Sequence, residues 1–137
     1  MENKVKENMV SKGLSDEEMT GADIIVQVIA DEGVDTIFGY SGGAILPTYD
    51  AVFRYNNQAT NKHKMPLIVP ANEQGASFMA SGYSRSSGNV GVAIVTSGPG
   101  ATNCVTAVRD CMADSIPIIV ICGQVATNAI GTDAFQE

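Results

Sequence analysis

Helical spacing of apolar residues alternates along this chain with short runs that are almost entirely apolar. The helical spacing predicts four helices, over residues 20–33, 46–55, 73–88 and 105–112. The apolar runs, rich in Val and Ile, predict four buried strands, over residues 34–40, 66–69, 91–97 and 117–123. We therefore expect an α/β fold, a doubly wound parallel sheet with helices on both faces.

Residues that start and stop helices flank the first and third of these segments. Thr20 and Asp23 have the spacing of a capping box, and Gly33 stands where the first helix should stop. In the third predicted helix, apolar residues recur on one side; they are Phe78, Met79 and Tyr83. This helix should end at Gly88.

The ends of the four predicted strands should meet at one rim. Right-handed crossovers place the C-terminal ends of parallel strands on the same edge of the sheet, where open α/β sheets bind ligands. Glu73 is the one ionisable residue at its junction of strand and helix, so it is the centre of the candidate site. The residues that fall at this rim are Tyr40, Gly42, Glu73, Thr96, Gly98-Pro99-Gly100 and Gly123-Gln124.

Glu73 has a structural explanation as well as a functional one. The helix dipole stabilises an acid in the first helical turn by about 0.3–1 kcal/mol, and most such acids do nothing more. A carboxylate at a ligand-binding rim can also exchange a proton with a heterocycle nitrogen or accept a hydrogen bond from it. The spacing of Glu73 leaves both explanations open.

Composition narrows the class of protein and its partners. The 137 residues suit one domain, which we expect over residues 20–137 after a polar, disordered leader over residues 1–19. No apolar run approaches the roughly 20 residues of a membrane span. The net charge of −7, with only 8 Lys and Arg, argues against nucleic acid and membrane surfaces as partners.

The sequence lacks the motifs of several kinds of ligand-binding and catalytic site. It has neither a lysine-bearing phosphate loop nor a dinucleotide fingerprint, and we predict no metal site. His63 falls in a predicted surface loop, so Ser97 has no expected histidine partner. Cys104, Cys111 and Cys122 have neither disulfide nor metal spacing, and we expect buried, reduced thiols in a cytoplasmic protein.

Seven motifs between residues 20 and 137 carry a family resemblance. They resemble, in order and spacing, the N-terminal, pyrimidine-binding domain of thiamine-diphosphate enzymes, above all the catalytic subunit of acetolactate synthase (acetohydroxyacid synthase). The motifs are Phe38-Gly39-Tyr40-Ser41-Gly42-Gly43-Ala44, Asn72-Glu73-Gln74-Gly75-Ala76, Gly82-Tyr83-Ser84-Arg85, Thr96-Ser97-Gly98-Pro99-Gly100-Ala101-Thr102-Asn103, Asp114-Ser115-Ile116-Pro117, Gly123-Gln124-Val125 and Gly131-Thr132-Asp133-Ala134-Phe135-Gln136-Glu137.

The resemblance implies a site and an activity. Glu73 would hydrogen-bond ring nitrogen N1′ of the aminopyrimidine of thiamine diphosphate, and Gln136 would approach the reacting centre with Phe135 packed beside it. The implied reaction decarboxylates pyruvate and joins it to a second 2-keto acid, in branched-chain amino acid biosynthesis, and the cofactor carries the carbon chemistry. The implied cofactor-binding residues are Glu73, Tyr40, Gly42, Thr96, Pro99 and Asn103.

The chain also departs from the family. Ser41 stands where the family usually has proline, Ala71-Asn72 replaces a common Arg-His pair, and Ala126 replaces another proline. By the resemblance, Mg and FAD would be held by domains that this chain does not carry. We therefore expect the chain to be inactive alone. It would be either a fragment of a full-length synthase or a separate chain whose partner is a second copy of itself or a chain that carries the diphosphate-binding domain.

Other functions remain open from the sequence. The chain could be a stand-alone α/β module that binds another nucleotide-like or phosphate ligand, with Glu73 as a helix-start residue. It could also be a dimerisation module without catalysis, or part of another thiamine-diphosphate decarboxylase or carboligase. Small residues in the helices after Glu73 and Gly98 suit either a subunit interface or packing on the sheet.

Overall fold

The computed structural model describes residues 18–61 and 63–137, so most of the expected leader lies outside the described residues. A 3-10 turn, Gly43–Ile45, leads into the second helix. The helices are α1 (Gly21–Asp31), α2 (Leu46–Asn57), α3 (Glu73–Ser87), α4 (Pro99–Thr102) and α5 (Val105–Asp114). The strands are β1 (Ile37–Tyr40), β2 (Leu67–Ile68), β3 (Gly91–Val95) and β4 (Ile118–Cys122).

The strands form one parallel sheet in the order β2-β1-β3-β4. The chain passes from β1 to β2 on one side and then crosses back to β3 on the other side of β1. The winding direction therefore reverses between β1 and β3, and a crevice opens at the C-terminal ends of neighbouring strands at such a reversal.

Helices cover both faces of the sheet, which confirms the predicted doubly wound α/β fold. On one face, α1 and α2 pack through Val26 and Val52 against a cluster that includes Ile37 and Ile94. On the other face, the alanines of α3 pack against Phe38 and Ala93, and α5 packs beside α3. The strands β1, β3 and β4 therefore contribute alternate side chains to two separate cores.

The capping box predicted for the first helix is confirmed. The backbone N–H of Asp23 donates to the Thr20 hydroxyl oxygen at 3.2 Å, and the Asp23 side chain accepts from the Thr20 backbone. Arg54 of α2 lies 2.5 Å from the same carboxylate and ties the two helices together. The hydrogen bond from Thr20, followed by that from Arg54, lowers the pKa of Asp23.

The predicted strand over residues 66–69 is shorter and less buried than expected. It is the two-residue strand β2 at the edge of the sheet, and Ile68 and Val69 are 40% and 57% exposed. An edge strand has a neighbour on one side only, so its apolar side chains are covered less well. β1 likewise begins at Ile37, three residues later than residue 34.

Of the three apolar residues predicted to share one side of α3, only Tyr83 packs against the core, with its ring centroid 6.0 Å from that of Phe38. Phe78 and Met79 are exposed, and the buried residues of this helix are Ala76, Ser77, Ala80, Ser81 and Ser84. Small residues are required because the backbones of α3 and β3 lie in contact: a Cβ at Gly91 would lie 2.7 Å from the carbonyl carbon of Ala80. The helix therefore packs through its small side chains.

The chain after Gly98 forms two helices, α4 and α5, and not one. A turn at Asn103 and Cys104 separates α4 from α5, and Val105, Val108 and Met112 are exposed. Cys104 and Cys111 are buried, as expected. Cys122 is exposed, contrary to the expectation, because it ends β4, which has a partner strand on one side only within the residues described.

Replacing Gly91 by alanine should destabilise the fold, because its methyl group would overlap the backbone of α3. Overpacking of this kind lowers the free energy of unfolding by about 1–3 kcal/mol. The matched control is Gly82→Ala in the exposed face of α3, where a Cβ meets nothing within 4 Å. That change should stabilise the helix by up to about 1 kcal/mol. Urea unfolding of both variants measures the difference, and equal midpoints would contradict the close contact.

Candidate functional site

Thr96 forms the floor of the crevice between β1 and β3. It follows β3 directly, and it is 4% exposed. A Cβ at Gly42 would lie 2.6 Å from the Cβ of Thr96, and a Cβ at Gly100 would lie 2.6 Å from its Cγ2. The turns after β1 and β3 therefore contact Thr96 from two sides, and only a glycine lets the backbone come this close to its side chain.

The hydroxyl of Thr96 has no hydrogen-bond partner among the described residues. Its Oγ1 is buried and makes no hydrogen bond to any part of the chain that the structure describes. An unsatisfied buried hydroxyl costs about 1–3 kcal/mol, so native proteins rarely keep one without a reason. Thr96 Oγ1 is therefore an unsatisfied polar atom at the C-terminal end of β3.

Glu73 is the first residue of α3, and the residue before it fixes the helix start. The Asn72 side-chain oxygen accepts a hydrogen bond from the backbone N–H of Gly75 at 2.8 Å, which makes Asn72 the N-cap. This role was not predicted, although an asparagine just before a helix is a strong N-cap signal. The departure from the family pattern at Asn72 therefore preserves the position of Glu73.

The Glu73 carboxylate lies next to the turn after β3. Its Oε2 accepts a hydrogen bond from Nδ2 of Asn103 at 2.9 Å. Its Oε1 lies 3.6 Å from the position that a Cβ at Gly100 would take. Glu73 is half-buried, so its carboxylate is partly screened from solvent at the rim.

The structure also places the other predicted site residues at this edge. Tyr40 ends β1 with 37% of its surface exposed, and Pro99 begins α4. Gln136 reaches the rim through its backbone, since a Cβ at Gly98 would lie 2.7 Å from the Gln136 carbonyl oxygen. Phe135 does not pack beside Gln136 as expected but is 87% exposed.

The end of β4 meets the same group of turns. A Cβ at Gly123 would lie 2.8 Å from the carbonyl carbon of Ala44, in the 3-10 turn that follows β1. The junctions that follow β1, β3 and β4 are therefore in mutual contact, and Glu73 joins them from the junction after β2. This arrangement matches the convergence of strand ends expected from the sequence.

Tyr49 is a further residue near the site that sequence reasoning missed. Its hydroxyl donates to the backbone carbonyl of Ile94 in β3 at 3.2 Å. Burial of the phenol, followed by the negative charge of Glu73, raises its pKa to about 12. An aromatic residue in an amphipathic helix gives the signal of a core residue, so its sequence position did not reveal this hydrogen bond.

The described residues offer no alternative centre of metal chemistry. Within residues 18–61 and 63–137, no group of three or more His, Cys, Asp or Glu residues could hold a metal ion. In the same ranges, no helix is both long and apolar enough to cross a membrane.

Comparison with known proteins agrees with this geometry. Residues 19–137 match the family described as thiamine pyrophosphate enzyme, N-terminal TPP binding domain. The chain belongs to this family. The predicted resemblance to thiamine-diphosphate enzymes is therefore confirmed, as is the fold class expected from it.

Three similar proteins are named as acetolactate synthases. The chain is 54% identical over 119 residues to the mitochondrial acetolactate synthase catalytic subunit of Saccharomyces cerevisiae, which covers 87% of the chain and 16% of that protein. It is 48% identical over 118 residues to the acetolactate synthase large subunit of Lactococcus lactis, covering 86% and 19%. It is 45% identical over 128 residues to chloroplastic acetolactate synthase 3 of Brassica napus, covering 93% and 19%. The chain thus spans less than a fifth of the length of these relatives.

Tyr49→Phe should lower stability in a manner that depends on pH. Loss of the hydrogen bond to Ile94 should lower the free energy of unfolding by about 0.5–1.5 kcal/mol below pH 10. Because the pKa of Tyr49 is raised to about 12, the neutral phenol stabilises the folded state below pH 10. This stabilisation is lost as the pH rises from 10 to about 12, since the phenol ionises first in the unfolded chain. The wild type should therefore approach the variant over that range in urea unfolding. A constant difference would contradict the prediction.

Proposed function

We propose that this chain binds the aminopyrimidine of thiamine diphosphate and supplies the activating glutamate of an acetolactate synthase. The reaction would decarboxylate pyruvate and join the product to a second 2-keto acid, as a step in branched-chain amino acid biosynthesis. The observation that carries the proposal is the Glu73 carboxylate at the rim of a crevice whose floor, Thr96, holds an unpartnered buried hydroxyl.

The residues at the crevice fit the aminopyrimidine group. A flat heterocycle with polar edge atoms needs close-packed walls and a few directed hydrogen bonds. Gly42 and Gly100 let the turns after β1 and β3 close on Thr96, whose Oγ1 is a polar atom without a hydrogen-bond partner among the described residues. Glu73 Oε1 supplies a carboxylate oxygen beside Gly100. Tyr40 and Pro99, at the same edge, are proposed to border the ring and the substrate, with Asn103 beside them.

Glu73 is proposed to hold or share a proton at ring nitrogen N1′. A carboxylate within hydrogen-bond reach of a heterocycle nitrogen stabilises its protonated form and thereby shifts protons elsewhere on the ring. When bound, thiamine diphosphate supplies the carbon chemistry of decarboxylation and condensation. Gln136, whose backbone touches Gly98, is proposed to face the reacting centre as the second catalytic residue.

The proposed cofactor needs groups that we do not assign to this chain. Mg and FAD are proposed to bind only through other domains of the synthase. The partner is proposed to be a second copy in a homodimer or a chain that carries the diphosphate-binding domain. Exposed apolar side chains on neighbouring helices α3 and α5 support such a contact; they are Phe78, Met79, Val105, Val108 and Met112.

The bounds of the domain and its cellular location complete the proposal. We propose that residues 20–137 form the pyrimidine-binding domain, supported by the N-cap at Thr20 and by the packing of α1 in the core. We also propose a cytoplasmic location, supported by buried Cys104 and Cys111, which are free thiols of the kind that reducing compartments preserve. Cell fractionation tests the location, since some named relatives are mitochondrial or chloroplastic.

Replacing the matched segment of the yeast relative with residues 20–137 of this chain tests the function. The chimera should form acetolactate from pyruvate only when thiamine diphosphate is present. Glu73→Gln, which keeps the shape but not the charge, should lower that rate by about 100-fold or more. The matched control, Glu32→Gln, changes an exposed acid at the end of α1 and should leave the rate within about twofold.

Two outcomes would contradict the proposal. A folded wild-type chimera that never forms acetolactate would show that the crevice does not serve this reaction. Full activity of Glu73→Gln would return Glu73 to the role of a helix-start acid. A chimera that assembles with its partner but lacks all turnover would favour a dimerisation module.

A further inference from the structure

The geometry points to Asn103 as a positioning residue that holds one oxygen of the Glu73 carboxylate and thereby presents the other to the cofactor. This inference rests on the proposed function of Glu73. It gives Asn103 a different task from the direct cofactor contact that the resemblance implies.

The hydrogen bond between the two side chains has a defined direction. Nδ2 of Asn103 lies 2.9 Å from Oε2 of Glu73. An ionised carboxylate only accepts hydrogen bonds, so the amide nitrogen of Asn103, and not its oxygen, must face it. A hydrogen bond with one charged partner is stronger than a neutral one, which suits it to fixing a side chain.

Asn103 is itself held in place by the turn that bears it. Its backbone N–H donates to the carbonyl of Pro99 at 3.0 Å, and it ends the short helix α4. The next residue, Cys104, is buried, and its Sγ lies 3.4 Å from the carbonyl oxygen of Gly100. The backbone of Asn103 is therefore fixed relative to the same turn that contacts Thr96, and its exposed side-chain amide reaches Glu73 from there.

Glu73 depends on this contact to keep one orientation. A glutamate has three rotatable side-chain bonds, and at the first position of a helix it can turn toward solvent. In the part of the chain that the structure describes, the Asn72 side chain hydrogen-bonds through its oxygen to the Gly75 N–H, and the side chain that donates to Glu73 is that of Asn103. With Oε2 bound to Asn103, Oε1 is the oxygen that lies beside Gly100 and the crevice.

Substitutions of Asn103 in the chimera separate positioning from binding. Asn103→Ala removes the donor, and Asn103→Asp keeps the shape but places a second carboxylate against Glu73. Both should slow exchange of the cofactor's C2 proton for deuterium, measured without substrate, by about tenfold to 100-fold. They should lower kcat alike, while the dissociation constant of thiamine diphosphate and the KM for pyruvate stay within about threefold.

A matched control and a second background sharpen the test. Thr106→Ala, an exposed position on α5, should leave exchange, kcat and cofactor affinity unchanged. In a Glu73→Ala background, Asn103→Ala should have no further effect on exchange, because no carboxylate remains to be positioned. Urea unfolding of each variant identifies any loss of rate that comes from misfolding, and Asn103→Asp serves if Asn103→Ala does not fold.

Some results would overturn the positioning role without touching the proposed function. If Asn103→Ala weakens cofactor binding about tenfold while exchange at saturation is unchanged, Asn103 contacts the cofactor directly. If its effect persists fully in the Glu73→Ala background, it does not act through Glu73. By contrast, failure of the proposed function is a wild-type chimera that makes no acetolactate.

Discussion

The contact of Thr96 with two glycine backbones is the constraint on which the rest of the site depends. It requires the turns after β1 and β3 to lie side by side, which the strand order β2-β1-β3-β4 provides. A side chain at Gly42 or Gly100 would separate these turns and open the floor of the crevice. The close approach leaves the Thr96 hydroxyl buried, with no hydrogen-bond partner among the residues that the structure describes.

The charge at the rim is placed by contacts from separate parts of the chain. Asn72 fixes the first turn of α3, and Asn103 binds the Glu73 carboxylate from the end of α4. Tyr49 reaches β3 from α2 on the opposite face of the sheet and experiences the charge of Glu73 through its raised pKa. The position of the carboxylate thus depends on side chains from two segments, the N-cap of α3 and the end of α4.

Much of this fold could be predicted from the sequence, because parallel strands covered on both faces give continuous apolar runs. The rim followed from the same pattern, since Tyr40, Glu73 and Thr96 each stand where a run ends. The packed face of α3 was not predicted, because close contact of backbones selects Ala and Ser and leaves Phe78 exposed. The bond between Glu73 and Asn103 joins residues 30 positions apart, so only the tertiary structure reveals it.

The exposed edge of β4 has a consequence for the behaviour of the chain in solution. Its five residues, Ile118–Cys122, are uncharged, and an apolar cleft of about 320 Å³ lies between this strand and the helices α4 and α5. An open edge of this composition is a template for intermolecular strand pairing and aggregation. Mutual repulsion between chains of net charge −7 opposes that association, and salt screens it. Solubility should therefore fall as ionic strength rises, unless another segment or subunit covers β4.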